Sequence, residues 1–201
     1  MAIRTIAVLG AGIMGRGIAY ASLLGGYDTV LQDLDGSALD QGSSEIFALF
    51  DKGALTGKVP GEIAAAANQR LRTARAIDEA AREADLVIEA IPERIELKVE
   101  TFARLDRVAP PHALLASNTS SLSITEMAAA TTRPAQVLGM HFFNPVHRMK
   151  LLEVVRALET SDDAIAQALA VGERMGKQGV VVRESPGFVT SRINAMIGNE
   201  A

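Results

Sequence analysis

Ile3-Arg4-Thr5-Ile6-Ala7-Val8-Leu9-Gly10-Ala11-Gly12-Ile13-Met14-Gly15 is the stretch that decides the fold. Ile3 to Leu9 is a short apolar run with β-branched residues and reads as a strand. It passes directly into a G-x-G-x-x-G pattern. Gly10 allows a tight turn, Gly12 lets backbone approach a pyrophosphate, and Gly15 lets the following helix pack closely on the strand. The helix opening at Ile13 and Met14 directs its first N–H groups at anionic phosphate.

Glycine-rich turns are common, so the context carries the argument. The helix runs to about Leu24, Gly25-Gly26 ends it, and Asp28 to Leu31 forms a second strand ending in Gln32-Asp33. Asp33 lies eighteen residues beyond Gly15. A carboxylate there accepts hydrogen bonds from the adenosine ribose hydroxyls and repels a 2′-phosphate, which favours NAD over NADP. The bland alternative is a βαβ unit that binds nothing.

Strand and helix continue to alternate. Gly36 to Lys52 and Gly61 to Leu71 read as helices separated by Gly53 to Pro60, a pair long enough to be an inserted arm. Asp85 to Ala90 reads as a strand, Glu93 to Val108 as an amphipathic helix after Pro92, and Ala113 to Ala116 as the next strand. Ser123-Ile124-Thr125-Glu126 is a capping box for a short helix. Val137 to Met140, Lys150 to Val155 and Val180 to Val182 read as strands, and Asp162 to Met175 as a helix. The pattern predicts an α/β protein with a doubly wound, mainly parallel Rossmann-type sheet. In such sheets ligands bind outside the carboxyl ends of the strands. Gly10 to Gly15, Asp33, Glu93, Ser117 to Ser120 and His141 all fall there.

A second chemical signal is Gly139-Met140-His141-Phe142-Phe143-Asn144-Pro145 followed by Leu151-Leu152-Glu153-Val154-Val155. Pro145 breaks the chain, so the second apolar run can fold back beside the first. A carboxylate inside such a run costs several kcal/mol, or roughly so, to bury alone. The nearest partner is His141, and a histidine held by a glutamate makes a general base that works near neutral pH. The other two histidines read as loop residues: His112 follows Pro110-Pro111, and His147 sits in a polar, solvated turn.

Composition excludes several classes. The chain has 201 residues, is 48% hydrophobic and carries a net charge of −4, with no basic block for nucleic acid. It has no cysteine, hence no disulfide, thiol nucleophile or thiolate metal site, and no metal site is expected. No apolar run approaches the ~20 residues of a membrane span. The strand starting at Ile3 leaves no room for a leader, so the expected location is cytoplasmic.

At this point the chain resembles the NAD-binding domain of (S)-3-hydroxyacyl-CoA dehydrogenases, including the 3-hydroxybutyryl-CoA enzymes. The resemblance rests on Gly10 to Ala19, Ser117-Asn118-Thr119-Ser120-Ser121-Leu122-Ser123-Ile124-Thr125, Gly139 to Val146, Met149 to Val155, and Pro186-Gly187-Phe188-Val189. It implies that His141 is the catalytic base, Glu153 its orienting partner, and Ser120 a donor to the reacting oxygen. It also implies that Glu93, Lys98 and Asn144 line the nicotinamide end of the cofactor site, with Asn144 and Ser120 also meeting substrate. The substrate would be an acyl-CoA, and Lys52 or Lys58 could meet the phosphates of coenzyme A, although a solvated surface is an equal reading for both.

Two departures qualify the resemblance. Family members usually carry Asn before the arginine that follows Pro-Gly-Phe, whereas Ser191 precedes Arg192 here. Asn194 is no substitute, because three residues along a helix turn the direction by about 60°. The family also continues into a helical C-terminal domain that forms most of a homodimer interface. We therefore expect 1–184 to be the NAD-binding domain and 185–201 to be a linker and first helix of a truncated second domain. Phe188, Val189, Ile193, Met196 and Ile197 would form its uncovered apolar stripe. The rival readings are a dinucleotide-binding fragment with little turnover, or a related L-gulonate-type dehydrogenase or crystallin.

Overall fold

The computed structural model describes residues 2–200, without the side chains of 194, 195 and 198–200; the comparison involving Asn194 and the chain end at Ala201 therefore lie outside the described residues. In chain order the elements are β1 (Thr5–Leu9), α1 (Ile13–Leu24), β2 (Asp28–Gln32), α2 (Gly36–Leu55), α3 (Gly61–Arg70), β3 (Leu71–Ala74), α4 (Ile77–Ala81) and β4 (Leu86–Glu89). They continue as α5 (Ile95–Val108), β5 (Leu114–Ser117), α6 (Ile124–Ala129), β6 (Val137–Phe142), β7 (Leu151–Arg156), α7 (Asp162–Arg174), β8 (Gln178–Arg183) and α8 (Thr190–Glu200).

One eight-stranded sheet runs in the order β3-β2-β1-β4-β5-β6-β7-β8. The first six strands are parallel; β7 folds back antiparallel to β6, and β8 runs parallel to β7. The chain reverses its direction of sheet growth between β1 and β4, which opens a crevice at their carboxyl ends. Alternate residues of each strand face opposite layers. Ile6 and Val8 of β1 pack with α1, α2, α3 and α7, while Ala7 and Leu9 pack with α4, α5 and α6. This is the expected doubly wound, mainly parallel Rossmann-type sheet with its helical arm, α2 and α3.

Three local expectations need correction. The helix of the arm does not stop at Lys52 but continues through Gly53 to Leu55. A Cβ at Gly53 would stand 2.6 Å from Val59 Cγ2, so this glycine makes room for the returning chain rather than breaking the helix. Secondly, β3 and α4 were not anticipated. Only Ala74 of Leu71-Arg72-Thr73-Ala74 is buried, because β3 is the sheet's edge, and an edge strand lacks the apolar run that marks a central one. Thirdly, Phe188 is not part of an uncovered stripe. It takes a positive φ of 47° and is 2% exposed. Val189, Ile193, Met196 and Ile197 are exposed as anticipated.

Candidate active site

The glycine-rich turn is built by contacts that tolerate no side chain. Gly10, at φ 96°, donates its N–H to Gln32 O at 2.7 Å and so bridges β1 and β2. A Cβ on Gly15 would fall 1.7 Å from Gly10 O, so α1 rests directly on the turn. Gly12 has nothing within 4 Å of a Cβ position. It caps α1 without a side-chain hydrogen bond, and no acid stands in the first turn at Ile13 and Met14. The first N–H groups therefore face an open, uncapped concavity, and a phosphate group fits it. Asp33 stands at its rim. Its Oδ2 accepts from Ala11 N at 2.7 Å and its Oδ1 from Asp35 N at 3.0 Å. The unanticipated edge strand contributes here, since Ala74 O accepts the Asp33 N–H.

The side chains expected to react come together at the end of β6. His141 and Glu153 are direct cross-strand partners in the β6–β7 pair. Nδ1 of His141 lies 2.7 Å from Glu153 Oε2, with both side chains almost fully buried. An ionised carboxylate can only accept, which assigns the imidazole proton to Nδ1 and turns the Nε2 lone pair toward Ser120. Ser120 Oγ stands 3.1 Å from Nε2 and is exposed to the crevice. Ser120, His141 and Glu153 thus form one line from crevice to interior. Burial opposes ionisation of Glu153 and is the largest single influence on it. Hydrogen bonds from the His141 ring and from the Thr190 hydroxyl and amide outweigh burial and hold its carboxyl below the usual range. The His141 ring is walled by Phe143 at 4.5 Å and Phe188 at 5.8 Å between centroids.

Glu93 and Lys98 occupy different positions in this arrangement. Glu93, exposed at the crevice, accepts the Ser120 N–H at 3.0 Å and the Thr119 hydroxyl through the same oxygen. Lys98 is 1% exposed. Its ammonium meets Glu89 Oε1 at 2.5 Å, Glu93 Oε2 at 3.3 Å and Ile91 O at 3.4 Å, so its three donors are spent. Lys98 therefore reaches the crevice through Glu93. Glu89 was missed from the sequence. It is 0% exposed and also accepts from Ile91 N and the Ser117 hydroxyl. The signal was the one that exposed Glu153: a carboxylate ending the apolar run Leu86-Val87-Ile88. Asn118, in the same Ser-Asn-Thr-Ser loop, accepts the Phe142 N–H at 2.9 Å and ties that loop to β6.

Asn144 and Lys52 line a neighbouring cavity of about 380 Å³ with Ile13, Arg16, Glu45 and His147. It lies between α1, α2 and the turn after β6. A Cβ at Gly17 would stand 2.9 Å from Val146, so α1 and this turn are in direct contact. The turn is held from below by buried Lys177, which donates to Val146 O and to Met149 O at 2.9 Å, and burial pushes its ammonium down. Partial burial and the cations Arg148, Lys177 and Lys52 likewise lower His147. Of the remaining histidines, His112 pairs with Asp85 at 2.9 Å, apart from the crevice. Among the described residues no cluster of His, Asp and Glu could hold a metal ion, and no helix is long and apolar enough to cross a membrane.

An open glycine-rich turn at a helix start, a carboxylate at its rim and a histidine–glutamate pair on one crevice are the features of a dinucleotide-dependent oxidoreductase domain. Residues 5–185 match the family model for the 3-hydroxyacyl-CoA dehydrogenase NAD binding domain. The chain belongs to this family, and its cofactor is NAD. A probable 3-hydroxybutyryl-CoA dehydrogenase of Bacillus subtilis is 43% identical over 201 residues, covering 100% of this chain and 70% of that protein. The fatty acid oxidation complex subunit alpha of Idiomarina loihiensis is 41% identical over 95% of this chain, which spans only 26% of that longer protein. The crystal structure of (S)-3-hydroxybutyryl-CoA dehydrogenase from Ralstonia eutropha superposes with a TM-score of 0.93 at 38% identity, covering 99% of this chain and 70% of that one.

Proposed function

We propose that this chain interconverts (S)-3-hydroxyacyl-CoA and 3-ketoacyl-CoA with NAD, on short acyl groups such as 3-hydroxybutyryl and acetoacetyl. The observation that carries this reading is the line Ser120–His141–Glu153, ending at the crevice that the glycine-rich turn also enters. Bound at that turn, NAD would supply the acceptor for the hydride that leaves carbon 3 of the hydroxyacyl group. Ser120 Oγ and His141 Nε2 hold the substrate hydroxyl between them. Nε2 takes the hydroxyl proton as the carbonyl forms, and Glu153 stabilises the imidazolium at Nδ1. In reverse, the imidazolium returns that proton to the developing alkoxide. Gly10, Gly12, Ile13, Met14, Gly15 and Asp33 bind the adenosine diphosphate half. Glu93, backed by Lys98, and Asn144 border the nicotinamide end.

Lys52, across the cavity from Asn144, meets the phosphates of coenzyme A. Residues 1–184 form the NAD-binding domain and 185–201 lead into a second, helical one. The working enzyme is a cytoplasmic homodimer joined through that second domain. The test is NADH oxidation with acetoacetyl-CoA beside titration of NADH fluorescence. Turnover that needs His141 supports the dehydrogenase. Binding without turnover identifies instead a dinucleotide-binding module, the reading favoured by the exposed row Val189, Ile193, Met196 and Ile197.

A further inference from the structure

Glu153 has two oxygens with different employers. Oε2 faces the His141 ring, whereas Oε1 accepts the Thr190 hydroxyl at 2.8 Å and the Thr190 N–H at 3.0 Å. Thr190 is the first residue of α8, so the helix that follows the sheet begins on the acid behind the His141 ring. Nothing in the hydrophobic pattern marks this contact, and the sheet itself does not require it. β8 already pairs with β7, placing Val180 opposite Glu153.

We propose that Thr190 is a positioning residue for the His141 imidazole, setting through Glu153 how much carboxylate charge and which rotamer the ring meets. The inference deepens the dehydrogenase reading and rests on it for its catalytic meaning. A carboxylate on a strand can swing about its terminal bonds. Two donors on Oε1 fix its plane, and with it the angle at which Oε2 receives Nδ1–H. The same donors draw negative charge toward Oε1. That weakens the pull of Oε2 on the imidazole proton and makes the charged ring less favoured than an unshared carboxylate would.

The other groups facing the pair leave Thr190 as the adjustable element. From β6 the titratable neighbour is His141 itself, and from β8 the residue opposite is apolar Val180. Phe143 and Phe188 wall the ring. Glu93 reaches it only through Ser120, and Glu184 commits its carboxylate to Ser123 and Thr125. Thr190 is thus where the first turn of α8 communicates with the reaction, and a movement of that helix would be felt at the imidazole.

Thr190→Val keeps the shape and the N–H and removes only the hydroxyl; Thr190→Ser restores a hydroxyl on a smaller side chain. The imidazole N–H spectrum of the full chain reads the pair without any turnover. Thr190→Val should move the His141 Nδ1–H signal downfield, and Thr190→Ser should return it toward the parent position. In the oxidation direction, which needs the neutral ring, the acid limb of kcat/KM against pH should move up by about 0.5 in Thr190→Val, with NADH affinity unchanged. An unmoved ring signal in Thr190→Val, or the same displacement in Thr190→Ser, would overturn the inference. If the parent binds NADH but does not turn over, the dehydrogenase reading falls, while the ring signal alone still decides the role of Thr190.

Discussion

Glu89 and Lys98 meet at 2.5 Å with side chains that are 0% and 1% exposed, nine residues apart on the end of β4 and the first turn of α5. Charges so buried persist only when fully partnered. Here Glu89 takes Lys98, Ile91 N and Ser117, and Lys98 passes the remaining interaction to Glu93 and so to the Ser120 backbone. Lys98→Met leaves Glu89 charged and partly unpaired in the core. Urea unfolding at pH 7 should show a loss of about 3–5 kcal/mol, and Glu89→Gln/Lys98→Met should recover part of it. A loss no greater than that of a surface lysine would mean that the pair contributes no stability.

The glycines of the turn make separable predictions. At Gly15 the Cβ of alanine would overlap Gly10 O, so Gly15→Ala must displace α1 from β1 and lower both Tm and NADH affinity. At Gly12 the same atom would enter open space, the space a pyrophosphate needs. Gly12→Ala should keep its Tm within a degree or so, because it disturbs no packing, yet raise the NADH Kd by about tenfold or more through loss of close approach. Equal losses of Tm in the two variants would contradict this division.

Much of this geometry was legible in the sequence because its residues violate local expectation. Glycines at fixed spacing and a carboxylate inside Leu-Leu-x-Val-Val have few structural explanations, and Pro145 supplied the fold-back that puts His141 opposite Glu153. What escaped reading depends on partners brought together only in space. Leu71 to Ala74 lacks a continuous apolar run because it lies at the sheet edge, and Gly53 looks like a helix stop although Val59 packs against it. Phe188 fits an apolar helical row by spacing, but its φ of 47° turns the ring into the core before α8 begins. Thr190 carries no periodic signal at all.

His141→Gln removes the proposed proton-exchanging group and retains a polar side chain of similar reach. With acetoacetyl-CoA and NADH, kcat should fall by about 10²-fold or more, while the NADH Kd stays near its parent value because the proposed nucleotide cradle lies on β1, α1 and β2. Ser120→Ala should cost less, since Nε2 can still reach the substrate oxygen. Turnover unchanged in His141→Gln would remove this residue from the mechanism.

The acid side of the stability profile follows from Glu153. Burial works against its charge, but His141 and Thr190 outweigh burial, so its folded carboxyl ionises below the ordinary value of 4.5. A group depressed in the folded state binds fewer protons there than in the unfolded chain. The stability it contributes is therefore fully present above pH 4.5 and is lost as pH falls through the depressed folded value. Asp85 and Asp106 are lowered in the same sense: burial opposes their charge, but backbone donors and His112 on Asp85, and Arg133 and Thr132 on Asp106, prevail. The parent protein should accordingly lose Tm progressively from about pH 5 downward. Glu153→Gln cannot ionise, so it should start with a lower Tm at pH 6 and decline less steeply, with the two curves converging toward pH 3. Parallel curves would show that Glu153 has the same proton affinity folded and unfolded, and that the two hydrogen-bonding partners do not favour its charge.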